Sequence, residues 1–286
     1  MTLFPAPIGG FPMIQGLTDM DMRANISPNS LAFWKGYKGA AVLAYVPHSK
    51  PETESSPQVI KIQNLIQSVV NAPGLIVSTP QYVDAGHLVK KPIYPFFIGG
   101  ISNGQMQLLL ERICWSTSTI TFFTAPITPF VSDFVMTLQS SWRHQNVLLT
   151  STRENELAIA EVVKDVIRTN DTLHQFLTNH YDALPGCPII EEAINYIVGS
   201  VRVVGLNATV PGEPVTLFNI FAISPSNDAA TYENWILQLR NITYFSQWGT
   251  LTAKEPFSCN CCKSTDHPEV LCPFKAIPSF PATPTS

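Results

Sequence analysis

Charge is scarce in this chain. Only 13% of its 286 residues are Asp, Glu, Lys or Arg, and 21 acidic against 17 basic side chains leave a formal charge of −4. That balance excludes a globally basic coat of the kind that holds polyanions through many phosphate contacts. Long apolar runs are missing too. Gly, Pro, Ser or Asn interrupts each one, including the stretch from Tyr94 to Ile101, so none approaches the ~18 residues a membrane-spanning helix needs. The first residues lack a basic leader, and Pro5 and Pro7 break the only apolar stretch there, so export is not expected. The expectation is a soluble intracellular protein with no membrane partner, in which the sequons at Asn207 and Asn241 are chance.

Catalytic patterns are absent as well. There is no G-x-S-x-G elbow, no H-E-x-x-H helix and no paired-carboxylate signature. His48, His87, His144, His174 and His180 are scattered, without a cysteine or close acidic partner at ligand spacing. The run Phe96 to Gly104 passes from strand through glycines to helix, yet it matches neither phosphate-binding fingerprint and reads as a tight turn. No enzyme activity is expected.

What is present is enough apolar material for a real core: 45% hydrophobic residues, 10% of the chain aromatic. The pattern predicts a short helix at Met20–Ile26, a strand at Ala40–Val46, a helix at Pro57–Asn71 with Ser56 as cap, and a strand at Leu75–Ser78. A strand at Tyr94–Ile98 precedes a helix capped by Ser102 or Asn103, followed by strands at Thr119–Thr124 and Val131–Leu138. Ser151-x-x-Glu154 reads as a capping box for a helix running to Arg168. Then come a helix at Ile189–Val198, strands at Val201–Thr209 and Val215–Ile223 joined by a Pro211-Gly212 turn, and a helix from Asp228 to about Phe245. Phe122, Phe123 and Phe134 stand in apolar surroundings and read as core.

This order predicts an α+β class: a mixed α/β body of one or two βαβ-containing units, then a short C-terminal zinc knuckle. The expected divisions are a flexible arm over 1–16, an α/β subdomain over 17–90, an α+β domain over 91–250, the knuckle over 251–275 and a flexible tail over 276–286. No internal repeat is visible in the sequence.

Cysteine usage is uneven. Cys114 and Cys187 stand alone, whereas Cys259, Cys261, Cys262 and Cys272 crowd one segment around His267. Read through Cys259, Cys262, His267 and Cys272, that segment is C-x2-C-x4-H-x4-C. Three thiolates and one imidazole saturate a tetrahedral Zn2+, which makes the implied site closed and structural. The pattern leaves open a shifted set in which Cys261 replaces a neighbour. A segment this short has no core of its own, so roughly 10–16 kcal/mol of metal binding would be its folding energy. Metal loss is then expected to disorder the segment and spare the body.

Cys259 to Cys272 resembles the CCHC knuckle of retroviral and retrotransposon Gag nucleocapsid proteins, and Cys272-Pro273-Phe274 is similar to knuckles of fungal Gag-like proteins. The resemblance implies RNA or single-stranded DNA binding by a zinc-ordered mini-domain attached to a self-assembling body. On that reading Phe257 and Phe274 stack on bases, while Lys254, Lys263 and Lys275 touch phosphates. The sequence departs from the family in having Asp266 where a glycine usually precedes the histidine, and Asn260 where an aromatic is common. The alternative reading is a protein-interaction adaptor with a zinc-stabilised recognition turn.

Overall fold

A computed structural model describes residues 2–49, 55–83, 92–140, 152–181, 184–210, 213–247, 249–277 and 280. Ser151, the Pro211-Gly212 turn, His87, His144 and residues 281–286 lie outside them. By its contacts the chain divides into two units. The first holds Met1–Pro129, Ser258–Ser264 and Pro268–Ser286, and the second holds Phe130–Phe257 and Thr265–His267. The division therefore falls at Pro129, not near residue 90.

In the first unit, helices α1 (Asp19–Arg23) and α2 (Pro28–Gly36) precede strand β1 (Ala40–Tyr45), helix α3 (Ser55–Val70) and strands β2 (Ile76–Ser78) and β3 (Phe96–Ile101). Helix α4 (Asn103–Arg112) and strands β4 (Cys114–Ser116) and β5 (Thr121–Pro126) complete it. The sheet order is β2-β3-β1-β5-β4, and every pairing is antiparallel. β1 and β2 flank β3, so the β1-α3-β2 connection is a split βαβ rather than a parallel pair. The boundary expected near residue 90 fails because β3 and β5 both pair with β1, and pairing across such separations leaves no trace in local pattern.

Local chemistry explains the elements. Ser102 caps α4 through a reciprocal box with Gln105, which satisfies amide groups the first helical turn leaves without partners. Ile62, Leu65 and Ile66 of α3 and Leu109 of α4 cover Val42, Ala44, Phe96, Ile98, Trp115 and Phe122 on one face of the sheet. Leu43, Tyr45, Phe97 and Phe123 are buried as well. A central strand buried on both faces reads as a continuous apolar run, and Ala40–Tyr45 is one.

Gly99 and Gly100 lie inside β3 instead of making the expected turn. Gly100 has φ +69°, and a Cβ there would sit 1.8 Å from the Gly74 carbonyl oxygen. Gly100→Ala is therefore expected to cost about 3 kcal/mol through overpacking and backbone strain, read as a lower denaturation midpoint.

The N-terminal arm, expected to be flexible, is tied down. The Phe4 amide donates to Ser116 O at 2.9 Å on the edge strand β4, and the Arg112 guanidinium donates to the Phe4 carbonyl. Arg112 also lies 5.2 Å from the ring centres of both Phe11 and Trp115. An extended segment laid against a sheet edge finds partners for its backbone that a free arm lacks.

The second unit runs β6 (Phe134–Ser140), α5 (Arg153–Thr169), α6 (Asp171–Thr178), α7 (Ile190–Ser200), β7 (Arg202–Val210), β8 (Glu213–Phe221), α8 (Ala229–Arg240), β9 (Tyr244–Ser246) and β10 (Gly249–Lys254). Its sheet order is β7-β8-β6-β10-β9, again antiparallel throughout. Thr152 caps α5 and Asp228 caps α8. Ile159, Val163 and Ile167 of α5 join Trp235 and Leu239 of α8 over Met136, Leu138, Phe218, Ile220 and Leu251. The helix expected to reach Phe245 stops at Arg240, and the chain continues into the β9–β10 hairpin.

Counted within its own unit, each sheet has the order second, third, first, fifth, fourth, with helical segments after the first and third strands. The likeness extends to detail. In the first unit the Trp115 indole of the fourth strand donates to Leu109 O, 3.1 Å away, in the preceding helix. In the second, the Tyr244 hydroxyl of the fourth strand donates to Leu239 O at 2.8 Å. The repeat absent from the sequence is present in the topology.

Candidate metal centre

The segment after β10 is built by turns. The Phe257 amide donates to Thr265 O (3.0 Å), the Cys259 amide to Ser264 O (3.1 Å) and the Lys263 amide to Cys259 O (2.8 Å). Reversing the chain this tightly puts Lys263 at φ +66°, a conformation that costs a residue other than glycine on the order of 1 kcal/mol. Downstream, Pro268 starts a short 3-10 turn (Glu269–Leu271) and Pro273 starts another (Pro273–Ala276). Cys272 is placed at their junction.

These turns bring together the four residues of the C-x2-C-x4-H-x4-C pattern. The ligand atoms of Cys259, Cys262, His267 and Cys272 all lie within 4.8 Å of one another, and all four residues are buried. A tetrahedron with bonds of ~2.3 Å has edges of roughly 3.8 Å, and the sulfurs of Cys259 and Cys262 stand 3.5 Å apart. One ion fits such a set. Cys261, also buried, is not in this convergent set.

The electrostatics set a condition: these thiols ionise only with a cation beside them. Hydrogen bonds with Cys259 and Cys272, and then burial, push the Cys262 thiol far above its ordinary range, and Cys261 moves the same way. Crowded, buried thiols resist ionising alone, whereas a divalent ion inverts that preference. Three thiolates, a neutral imidazole and a dication sum to −1. Lys263, only 9% exposed, adjoins Cys262 in the chain; burial lowers its pKa, with Cys259 and Glu269 acting against that shift.

His267 is oriented by the residue before it. Its Nδ1 lies 2.5 Å from Asp266 Oδ1. An ionised carboxylate only accepts, so Nδ1 carries the proton and Nε2 is left to bind the ion. Asp266, which a sequence reader takes for a turn residue, thus has a specific task.

The first unit holds the cysteine turn by buried hydrogen bonds. The Tyr45 hydroxyl donates to Cys262 O at 2.8 Å. The Gln15 amide donates to Ser264 Oγ (2.8 Å), and that hydroxyl donates back to Gln15 O (3.0 Å). Tyr45, Gln15 and Ser264 carry no sequence signal for this role, because their partners are distant in the chain. Cys114 is a separate buried thiol, raised by burial to about 12.

Two of the residues expected at a polynucleotide surface are not at the surface. Phe274 is fully buried, with ring centres 4.8 Å from Phe123, 5.9 Å from Phe280 and 6.4 Å from Phe11. Base stacking needs an exposed ring face, which Phe274 lacks. Lys263 is buried beside the thiols. Lys275 is exposed but paired with Glu269 at 3.0 Å, and Phe257 is half-buried with the Lys254 ammonium 5.3 Å from its ring centre.

The fold and site together define an α+β protein of two antiparallel units with a buried Cys3His cluster. Comparison with protein-family models, curated proteins and solved structures finds no match. Among the described residues, no helix is long and apolar enough to cross a membrane.

Proposed function

We propose that this chain is a non-enzymatic zinc protein whose Cys3His centre staples its C-terminal segment, and that the loop closed by the metal serves protein recognition. Three soft thiolates and an imidazole favour Zn2+ over the hard cations, and four protein ligands fill a tetrahedron, leaving no position for a reactive water. None of the six cysteines is in a disulfide, which suits a reducing, intracellular compartment. The observation that carries the recognition reading is the loop between two ligands: Val270 is 80% exposed and Leu271 37%. A rigid turn offering aliphatic side chains suits a protein surface better than a polyanion. Binding of RNA or single-stranded DNA, implied by the Gag-type resemblance, has thinner support, since Phe274 and Lys263 are unavailable and the net charge is negative.

Metal analysis of the purified chain should find about one zinc per molecule, and the His267→Ala, Cys272→Ala double variant should lose it. Equal zinc in both would remove the ligand assignment. A low-salt titration of the zinc-loaded chain with labelled single-stranded RNA is expected to show no saturable binding. Tight, salt-sensitive binding would return the polynucleotide to first place.

A further inference from the structure

We infer that Asn219 and Thr137 are positioning residues for the metal centre, fixing the direction of the His267 imidazole through Asp266. The inference rests on the metal reading above and deepens it. An imidazole ligand must be aimed, because a rotation about its own axis carries the nitrogen lone pair off the ion. Asp266 aims it, but Asp266 belongs to neither helix nor strand, and adjacency in the chain alone would let both residues swing together.

The sheet of the second unit, to which Asp266 itself belongs by its contacts, removes that freedom. Asn219 Nδ2 donates to the Asp266 carbonyl oxygen at 2.9 Å. The Thr137 hydroxyl donates to Asn219 Oδ1 at 2.7 Å. The amide orientation is forced: a carbonyl only accepts, so the NH2 end must face Asp266 and the oxygen must face the hydroxyl. The result is a continuous chain from Thr137 through Asn219 and Asp266 to His267.

Placement in the sheet makes this pair conspicuous. Thr137 of β6 and Asn219 of β8 are direct cross-strand partners, and Asn219 also faces Val204 of β7. Their exposures are 1% and 4%. Asparagine is disfavoured inside strands, and a buried amide costs stability unless fully hydrogen-bonded. Two aliphatic residues would serve the sheet better. A pair that breaks the local rule at an internal strand position, with its hydrogen bonds spent on the residue before a metal ligand, marks a task outside the sheet.

The test is zinc affinity of the full chain, measured by chelator competition, with Co2+ as a spectroscopic substitute. Asn219→Val and Asp266→Ala are each expected to weaken zinc binding about 10–100-fold, the usual effect of losing an outer partner of a ligand. Asp266→Asn, which keeps an acceptor for the imidazole N–H, should restore most of the affinity. The Co2+ forms of Asn219→Val and Asp266→Ala should keep their thiolate charge-transfer bands and change in the ligand-field region. A purely structural role predicts the reverse: lost stability with unchanged affinity and spectrum. Zinc binding by Asn219→Val and Asp266→Ala within about twofold of the parent chain would overturn the inference. Should Asn219→Val fail to fold, Thr137→Val and the partly exposed Asp266→Ala decide it by the same criterion. A parent chain that binds neither ion overturns the metal reading instead.

Discussion

Stripping the metal from the loaded chain is expected to lower the melting temperature of the first unit and to free its N-terminal arm, not merely to loosen a C-terminal loop. The cysteine turn is held by Tyr45 at the end of β1 and by both hydrogen bonds between Gln15 and Ser264. Phe11 of the arm faces Phe274, which follows the last ligand by two residues. When the ion leaves, buried thiols must either stay crowded or open outward, and opening takes those contacts with it. At free zinc a thousandfold above Kd, mass action gives about 4 kcal/mol of stabilisation, and a unit of this size then melts roughly 10 °C higher. Thermal unfolding with and without a strong chelator reads the shift, and limited proteolysis reads new cleavage in residues 3–16. An unchanged melting curve and a protected arm, in protein whose thiols titrate as metal-free, would show that the segment is an appendage after all.

The contrast with an isolated knuckle shows what sequence pattern carries. Ligand spacing is a short-range property: two residues between Cys259 and Cys262, and four on either side of His267, restrict the chain enough to predict convergence, and the four ligand atoms converge. Helix caps are equally local, and the Ser102 cap was readable from its own neighbours. Sheet membership is not local. Strand β10, Gly249–Lys254, contains one fully buried residue, Leu251, among glycine, threonines, alanine and lysine, so its apolar pattern is too sparse to mark a strand. Its place is set by pairing with β6, more than a hundred residues earlier. For the same reason the shared strand order of the two units left no repeat in the sequence: topology constrains which strands pair, while many residue choices satisfy each pairing.

Asp266 illustrates a subtler loss. By type and place it is a turn residue, and against the Gag-type pattern it stands as a departure from glycine. Its carboxylate nevertheless meets His267 Nδ1 and its carbonyl meets Asn219. A glycine there would supply the turn and no acceptor for the imidazole. The departure therefore turns a free loop into a braced one, and the brace depends on a strand residue that no local reading connects to it.

Phe274→Ala is expected to destabilise the first unit by about 3–5 kcal/mol, the cost of emptying a fully buried aromatic site. The ring makes an edge-to-face contact with Phe123 of β5 at 78° and lies nearly parallel to Phe11 at 15°. Phe123 is itself fully buried beside Tyr45, 5.3 Å away, the residue that bonds the cysteine turn. A cavity at Phe274 would thus loosen the packing under that turn as well as the turn's C-terminal end. Denaturant unfolding of the zinc-loaded variant measures the loss, and a double-mutant cycle with Phe123→Leu should return a coupling of about 0.5–1.5 kcal/mol for the ring pair. The half-buried Phe257 serves as the comparison, because Phe257→Ala removes far less packed surface and should cost about 1 kcal/mol or less. A base-stacking platform would behave in the opposite way: Phe274→Ala would leave the midpoint within ~0.5 kcal/mol of the parent, as exposed substitutions do, and would reduce affinity for single strands. Core packing and base stacking therefore predict opposite results for one substitution, and stability measured without any ligand separates them.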